Sequence, residues 1–100
     1  MRREFANICN QLVKDVESSS PERFYNVGIC EQSIISMASG MALEGMRPIV
    51  HTIAPFIVER ANEQIKINLG YQNTDVTLVS VGGSYDYSDL GCTHHCYADI

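Results

Sequence analysis

The sequence predicts an α/β domain of three layers, in which helices flank a small, mostly parallel sheet. Two observations lead to this prediction. Short runs rich in β-branched residues alternate along the chain with longer segments of helical spacing. The strand candidates end at glycine or proline, as strands do where the chain turns into a helix or loop. Because each pair of strands is separated by a helix, we expect right-handed crossovers and parallel pairing.

The composition excludes several functional classes. One hundred residues, 45% of them hydrophobic, make at most one small globular domain. A net charge of -5 gives no reason to expect nucleic acid or an anionic membrane as a partner. No apolar run is long enough to span a bilayer, and the N-terminus lacks the apolar core of a signal peptide. We therefore expect a cytoplasmic protein whose four cysteines are reduced thiols.

The first half of the chain predicts two helices and one strand. Residues 3–17 form an amphipathic helix, and its apolar face carries Phe5, Ile8, Leu12 and Val16. Residues 23–27 form a short strand. A second helix covers residues 32–43, and Gly45 fits its C-terminal cap.

The second half continues the alternation. Residues 49–54 form a strand that Pro55 ends, residues 56–69 a helix, and residues 75–81 a further strand. Residues 84–100 lack periodicity and predict an ordered loop, with residues 97–100 beginning another helix. We expect residues 1–100 to be a single, incomplete domain.

Glu31 is the first candidate site residue. It follows the strand candidate and a glycine, and it opens a helix. Open α/β sheets hold their ligands at the carboxyl ends of their strands, so a carboxylate there suits a ligand nitrogen. Acids also favour the first turn of any helix because of its dipole. Position alone leaves both explanations open.

The segment GCTHHC, residues 91–96, is the second candidate. Two histidines and two cysteines suggest zinc, but the spacing does not fit a structural zinc site, so we predict no metal ligands. A loop histidine acting on a substrate is better supported. Phe56 is either a core residue or a ring that stacks on a heteroaromatic ligand. His51 is expected at the rim of the sheet, and residues 82–84 form a turn.

Four motifs together resemble a known family. The segment RFYNVGICEQ, residues 23–32, is similar to the strand-Gly-x-x-Glu-Gln element of transketolase-like, thiamine diphosphate-dependent enzymes. Residues 37–48 resemble the helix and Gly-x-x-Pro turn that follow it, and residues 52–65 the next strand end and helix. Residues 91–95 resemble the Gly-Pro-Thr-His loop. The ordered set covers about residues 22–100 and implies a partial pyrimidine-binding fold of that family.

The resemblance implies roles for three residues. Glu31 matches the glutamate that hydrogen-bonds N1′ of the cofactor's aminopyrimidine and favours its imino tautomer. Phe56 matches the aromatic residue that packs on the pyrimidine ring, although a shift of one residue would place Ile57 there. His94 matches the loop histidine that contacts substrate oxygens and assists proton transfer. The implied activity is ketol transfer, the movement of a two-carbon unit between sugar phosphates.

The sequence departs from the family pattern in ways that imply a partner. Cys92 stands where the family has proline, and the expected strand and acidic loop before Pro21 are missing. The diphosphate-binding domain with its Mg²⁺ motif is also missing, so a partner domain or subunit would hold Mg²⁺ and the diphosphate, and an oligomer is expected. The resemblance leaves alternatives open. A 1-deoxyxylulose-5-phosphate synthase-like domain shares the Thr-His-His loop, whereas the beta subunits of 2-oxo acid dehydrogenases share the strand-Glu-Gln element but fit the loop poorly. A truncated module without catalytic function is the third.

Overall fold

Two parallel strands form the centre of the fold. The computed structural model describes the backbone of residues 2–99 and the side chains of residues 10–99. Strand β1, Ile49–Ile53, pairs in parallel with β2, Thr77–Val81. Ile49 lies opposite Thr77, and Ile53 lies opposite Val81. Both strands are where the β-branched runs predict them, and the α/β class is confirmed.

Helical segments surround this sheet. Helix α1, Arg2–Ser19, and helix α2, Glu31–Leu43, confirm the two helices predicted in the first half of the chain. The helix predicted at residues 56–69 is found as a helical region that extends to Tyr71, interrupted by a turn at Ala61, and most of it is π-helix. Its parts are a first π-segment, Phe56–Arg60, helix α3, Asn62–Gln64, and a second π-segment, Ile65–Tyr71. No helix in the described part of the chain is long and apolar enough to cross a membrane.

The core lies between α2, β1 and the first π-segment. Its central cluster consists of Ile35, Ala38, Val50, Ile57 and Ala61, each at most 3% exposed. Alanine at two of these five positions lets the helices lie close to the sheet and to each other. The core therefore fixes the start of α2 relative to the first π-segment.

The predicted strand at residues 23–27 is wrong. The structure places a 3₁₀ turn at Pro21–Arg23, followed by irregular backbone. Phe24 has extended dihedral angles, φ -110° and ψ 126°, but this stretch belongs to no ladder among the described residues. A strand requires a neighbour for its hydrogen bonds, and local sequence specifies only the extended backbone.

Both ends of the chain also differ from expectation. On α1, Leu12 is 58% exposed and Val16 is 48% exposed, so this part of the predicted apolar face is not covered. The side chains of Phe5 and Ile8 lie outside the described residues. In the tail, residues 97–99 are not helical, and Ile100 lies outside the described residues. The ordered loop itself is confirmed, with 3₁₀ turns at Ser88–Leu90 and Cys92–His94.

Helix α2 ends as its glycine predicts. Gly45 has φ +85° and donates its N–H to the Ala42 carbonyl at 3.0 Å, and Met46 donates to the Met41 carbonyl at 3.1 Å. These two hydrogen bonds form a Schellman cap, in which an L-residue with a side chain is strained.

Two glycine substitutions in and after α2 have opposite expected effects. Gly45→Ala should lower the free energy of unfolding by about 1 kcal/mol, since a Cβ is disfavoured at positive φ. Gly40→Ala should raise it by about 0.5–1 kcal/mol, because alanine is the better helix former. Neither Cβ would meet an atom within 4 Å, so contacts do not confuse the comparison. Urea denaturation of both variants measures the difference. If the two substitutions changed the free energy of unfolding by the same amount and in the same direction, the proposed role of Gly45 in the cap would be wrong.

Candidate active site

Glu31 is buried at the start of α2. Its side chain is 8% exposed, although glutamate is seldom buried without a partner. The chain reaches it through a turn in which Gly28, with φ +79°, donates its N–H to Asn26 Oδ1 at 3.1 Å. Glu31 therefore follows an Asx turn in unpaired backbone, not the end of a strand as predicted.

Arg60 pairs with this buried carboxylate. Its Nη1 donates to Glu31 Oε2 at 2.9 Å from the end of the first π-segment. The Arg60 side chain is 41% exposed, so its other surface reaches solvent. The helix dipole explains an acid in a first turn. It does not explain burial of that acid beside a cation from another segment.

Phe56 lies on the other side of the same guanidinium. Arg60 Cζ is 4.4 Å from the centroid of the Phe56 ring, which is cation–π geometry. Residues four apart lie on the same side of a helical turn, so Phe56 and Arg60 face the same way. Ile57, the other residue considered for this place, is 2% exposed and belongs to the core.

His94 meets the edge of Phe56. The two ring centroids are 5.4 Å apart at an interplanar angle of 72°. Thr93 Oγ1 lies 2.9 Å from His94 Nδ1, and the Tyr87 ring is 6.4 Å away. The His94 ring is half-buried between these neighbours. It therefore has a defined orientation instead of moving freely on a loop.

The loop that carries His94 is anchored at its ends. Cys96 donates its N–H to the Ser84 carbonyl at 2.8 Å, and Ser84 donates to Asp99 Oδ2 at 2.7 Å. A Cβ at Gly82 would collide with the Tyr87 ring, so glycine is needed where the loop leaves β2. These contacts return the loop to the sheet and hold His94 against Phe56.

The three predicted site residues thus meet in one place with a fourth. Glu31, Phe56, Arg60 and His94 form a continuous chain of contacts, which we call the Glu31 cluster. Sequence reasoning missed Arg60. The signal available was that a buried acid requires a cation, and Arg60 is a basic residue in the helical segment that Phe56 opens.

The other candidates lie outside this cluster. His51 Nδ1 donates to the Val79 carbonyl at 3.0 Å, as expected of a rim histidine. His95 packs against Tyr85, with centroids 5.0 Å apart. No group of three His, Cys, Asp or Glu side chains within the described residues is arranged to hold a metal ion.

The cysteines with described side chains are free thiols. They are Cys30, Cys92 and Cys96. Burial raises the pKa of the Cys96 thiol, and the nearby carboxylates Asp99 and Glu59 raise it further, against a smaller lowering by a hydrogen bond to the Ala98 backbone. Cys96 therefore stays a neutral thiol at physiological pH and serves as a packing residue of the loop.

Comparison with known proteins identifies the family to which this chain belongs. The family model described as transketolase, pyrimidine binding domain, matches residues 5–100. The chain belongs to this family, which confirms the resemblance to transketolase-like, thiamine diphosphate-dependent enzymes.

Three similar proteins show how much of a longer relative this chain covers. An uncharacterized 33.6 kDa protein in the fasciation locus of Rhodococcoides fascians is 46% identical over 95% of this chain and 30% of its own length. An apulose-4-phosphate transketolase subunit of Actinobacillus succinogenes is 44% identical over 80% of this chain and 26% of its own. The 1-deoxy-D-xylulose-5-phosphate synthase of Cellvibrio japonicus is 38% identical over 72% of this chain and 13% of its own. The chain thus spans less than a third of each of these relatives.

Proposed function

We propose that this chain is the pyrimidine-binding part of a transketolase-like enzyme, in which Glu31 activates thiamine diphosphate for two-carbon transfer between sugar phosphates. The observation that carries the proposal is the Glu31 cluster. Residues 31, 56 and 94 are far apart in sequence, and the fold links them through the Arg60 guanidinium and the Phe56 ring. The family match supports the same assignment.

The cluster suits an aminopyrimidine ring. A flat heteroaromatic ring with N–H groups needs an apolar face to pack on and a carboxylate oxygen to accept the hydrogen bond from its N–H. Phe56 supplies the first and the buried Glu31 the second. Thiamine diphosphate, when bound, supplies the carbon–carbon bond chemistry itself. Glu31 accepts a hydrogen bond from the ring N1′ and holds the proton there, and its burial excludes competing water.

His94 is assigned to the substrate. Its ring is oriented by Phe56, Tyr87 and Thr93, and its Nδ1 is already next to the Thr93 hydroxyl. Nε2 then remains to contact a sugar oxygen and to exchange a proton with it. In the net reaction, a carbon–carbon bond of the donor ketose breaks and a new one forms to the acceptor aldehyde.

A second subunit completes the site in this proposal. The relative from Actinobacillus succinogenes supports it, since a transketolase named as a subunit implies at least one further chain. We assign the diphosphate and Mg²⁺ to such a partner, since none of the residues in the Glu31 cluster is suited to hold a diphosphate together with its metal ion. The isolated chain should be inactive, and the complete enzyme an oligomer, which we place in the cytoplasm.

One alternative reaction has a specific observation in its favour. Relatives named 1-deoxy-D-xylulose-5-phosphate synthase are 38% to 41% identical to this chain. That reaction would use pyruvate and glyceraldehyde 3-phosphate. The relative named for apulose-4-phosphate transketolase makes apulose 4-phosphate the first ketose donor to test against them.

Reconstitution tests the proposal. The chain is purified alone and with a partner chain that carries the Gly-Asp-Gly motif, and both are supplied with thiamine diphosphate and Mg²⁺. We expect turnover of a ketose phosphate donor by the complex and none by the isolated chain. Turnover of pyruvate with glyceraldehyde 3-phosphate instead would replace the proposed reaction with the alternative. A complex that binds no thiamine diphosphate would leave only the non-catalytic module.

A further inference from the structure

Arg60 makes, within the chain, the two contacts that the proposed function assigns to the ligand's ring. Its guanidinium donates to Glu31 Oε2 at 2.9 Å and covers the Phe56 ring with Cζ at 4.4 Å. We propose that Arg60 is an internal stand-in for the pyrimidine ring, which closes the ligand-free site and is displaced when the ring binds. This inference rests on the proposed function of Glu31 and Phe56.

The chemistry of the two groups explains why one can replace the other. A guanidinium is planar and delocalised, carries N–H donors in its plane, and stacks on aromatic faces. An aminopyrimidine is likewise flat and carries N–H donors in its plane. With Arg60 Cζ 4.4 Å from the Phe56 centroid, no space remains on that face for a second flat group. Ring and guanidinium therefore compete for the face and for Glu31.

The burial of Glu31 explains why a stand-in is needed. Its side chain is 8% exposed, and a buried carboxylate without a partner strongly destabilises a fold. Arg60 supplies the missing cation when no ligand is present. Because the Arg60 side chain is 41% exposed, it can leave toward solvent and regain its hydration. The arriving ring then takes over the hydrogen bond to the carboxylate.

The proposal predicts opposite effects on affinity and on stability. If Arg60 must be displaced, part of the ligand's binding free energy is spent on that displacement. The apparent affinity is then the intrinsic affinity multiplied by the fraction of molecules in which Arg60 has already left the site. In the complex of this chain with its partner, Arg60→Met should therefore tighten thiamine diphosphate binding by about tenfold. The same change should lower the melting temperature of the ligand-free complex by several degrees. If Arg60 had only a structural role, its substitution would instead lower both the affinity for thiamine diphosphate and the melting temperature.

Titration calorimetry with thiamine diphosphate and thermal denaturation of the same samples measure both quantities. Arg47→Met is the matched control, because Arg47 is also an exposed arginine and lies outside the Glu31 cluster, and it should change neither. If Arg60→Met fails to assemble, Arg60→Lys serves instead. It keeps a cation beside Glu31 but cannot cover the ring face, so binding should still tighten by a few-fold.

The outcomes separate this inference from the proposed function. Turnover of Glu31→Gln is measured on the same complex. If the unchanged complex binds no thiamine diphosphate, or Glu31→Gln keeps full turnover, the proposed role of Glu31 fails. If Glu31→Gln loses turnover but neither Arg60 variant tightens binding, the stand-in is overturned while the proposed function survives. The inference is supported if either Arg60 variant binds thiamine diphosphate more tightly and its ligand-free complex melts at a lower temperature.

Discussion

Glu31→Gln is expected to lower the turnover of the assembled enzyme by about 10²- to 10⁴-fold, the range for loss of a positioned proton-transfer group. The amide has nearly the shape of the carboxylate, and its oxygen can still accept the hydrogen bond from Arg60. It lacks the negative charge that, in the proposed function, holds a proton on the ring nitrogen. The loss should therefore appear in turnover much more than in folding. Steady-state kinetics of the complex and a melting curve of the same sample separate the two.

The matched control for this variant lies at the other end of the same helix. Glu44 caps the C-terminus of α2 and is exposed, so Glu44→Gln makes the same chemical change far from the Glu31 cluster. We expect it to leave turnover within about twofold of the unchanged enzyme, as is usual for surface substitutions. Equal turnover of both variants would remove Glu31 from the mechanism and favour the helix-dipole explanation of its position.

Ile35→Ala is expected to have the largest effect on stability, lowering the free energy of unfolding by about 2–5 kcal/mol. Ile35 is 0% exposed and lies in the core cluster with Val50 and Ile57. The substitution removes three carbon atoms from a packed site and leaves a cavity. A domain of this size has a total stability of about 5–15 kcal/mol, so the variant loses a large part of it. The midpoint of urea denaturation measures the loss.

A graded series checks that the cause is the cavity. Ile35→Val should cost about 0.5–1.5 kcal/mol, since it removes a single methyl group. Ile29→Ala makes the full change at a side chain that is 90% exposed, and it should shift stability by less than about 0.5 kcal/mol. If Ile35→Ala and Ile29→Ala unfold at the same urea concentration, then the core described for α2 and β1 is wrong.

The elements predicted correctly are those that local sequence determines. The helical spacing of residues 32–43 and the cap at Gly45 define α2 within one residue of its observed start at Glu31. The β-branched residues before Pro55 and before Gly82 define β1 and β2. In each case the signal and the structure lie in the same short stretch of chain.

The errors concern features that depend on distant partners. Residues 23–27 have the composition of a strand, but strand formation depends on a neighbour that this stretch lacks among the described residues. The winding of residues 56–71 as π-helix is likewise not encoded in periodicity alone. Motif resemblance named Glu31, Phe56 and His94. It gave no reason to select Arg60, whose importance lies in an ion pair between residues 29 positions apart.

The π-segment Phe56–Arg60 has a consequence for how such a site changes during evolution. A π-turn takes one residue more than an α-turn, yet each brings the chain round once. Removing one residue here would therefore leave an α-turn and keep the flanking helix in nearly the same orientation. Phe56 and Arg60 would then stand three positions apart, which on an α-helix is still one face. This turn is thus a point in the chain where a one-residue insertion or deletion is absorbed locally, without rotating the rest of the helix against the core.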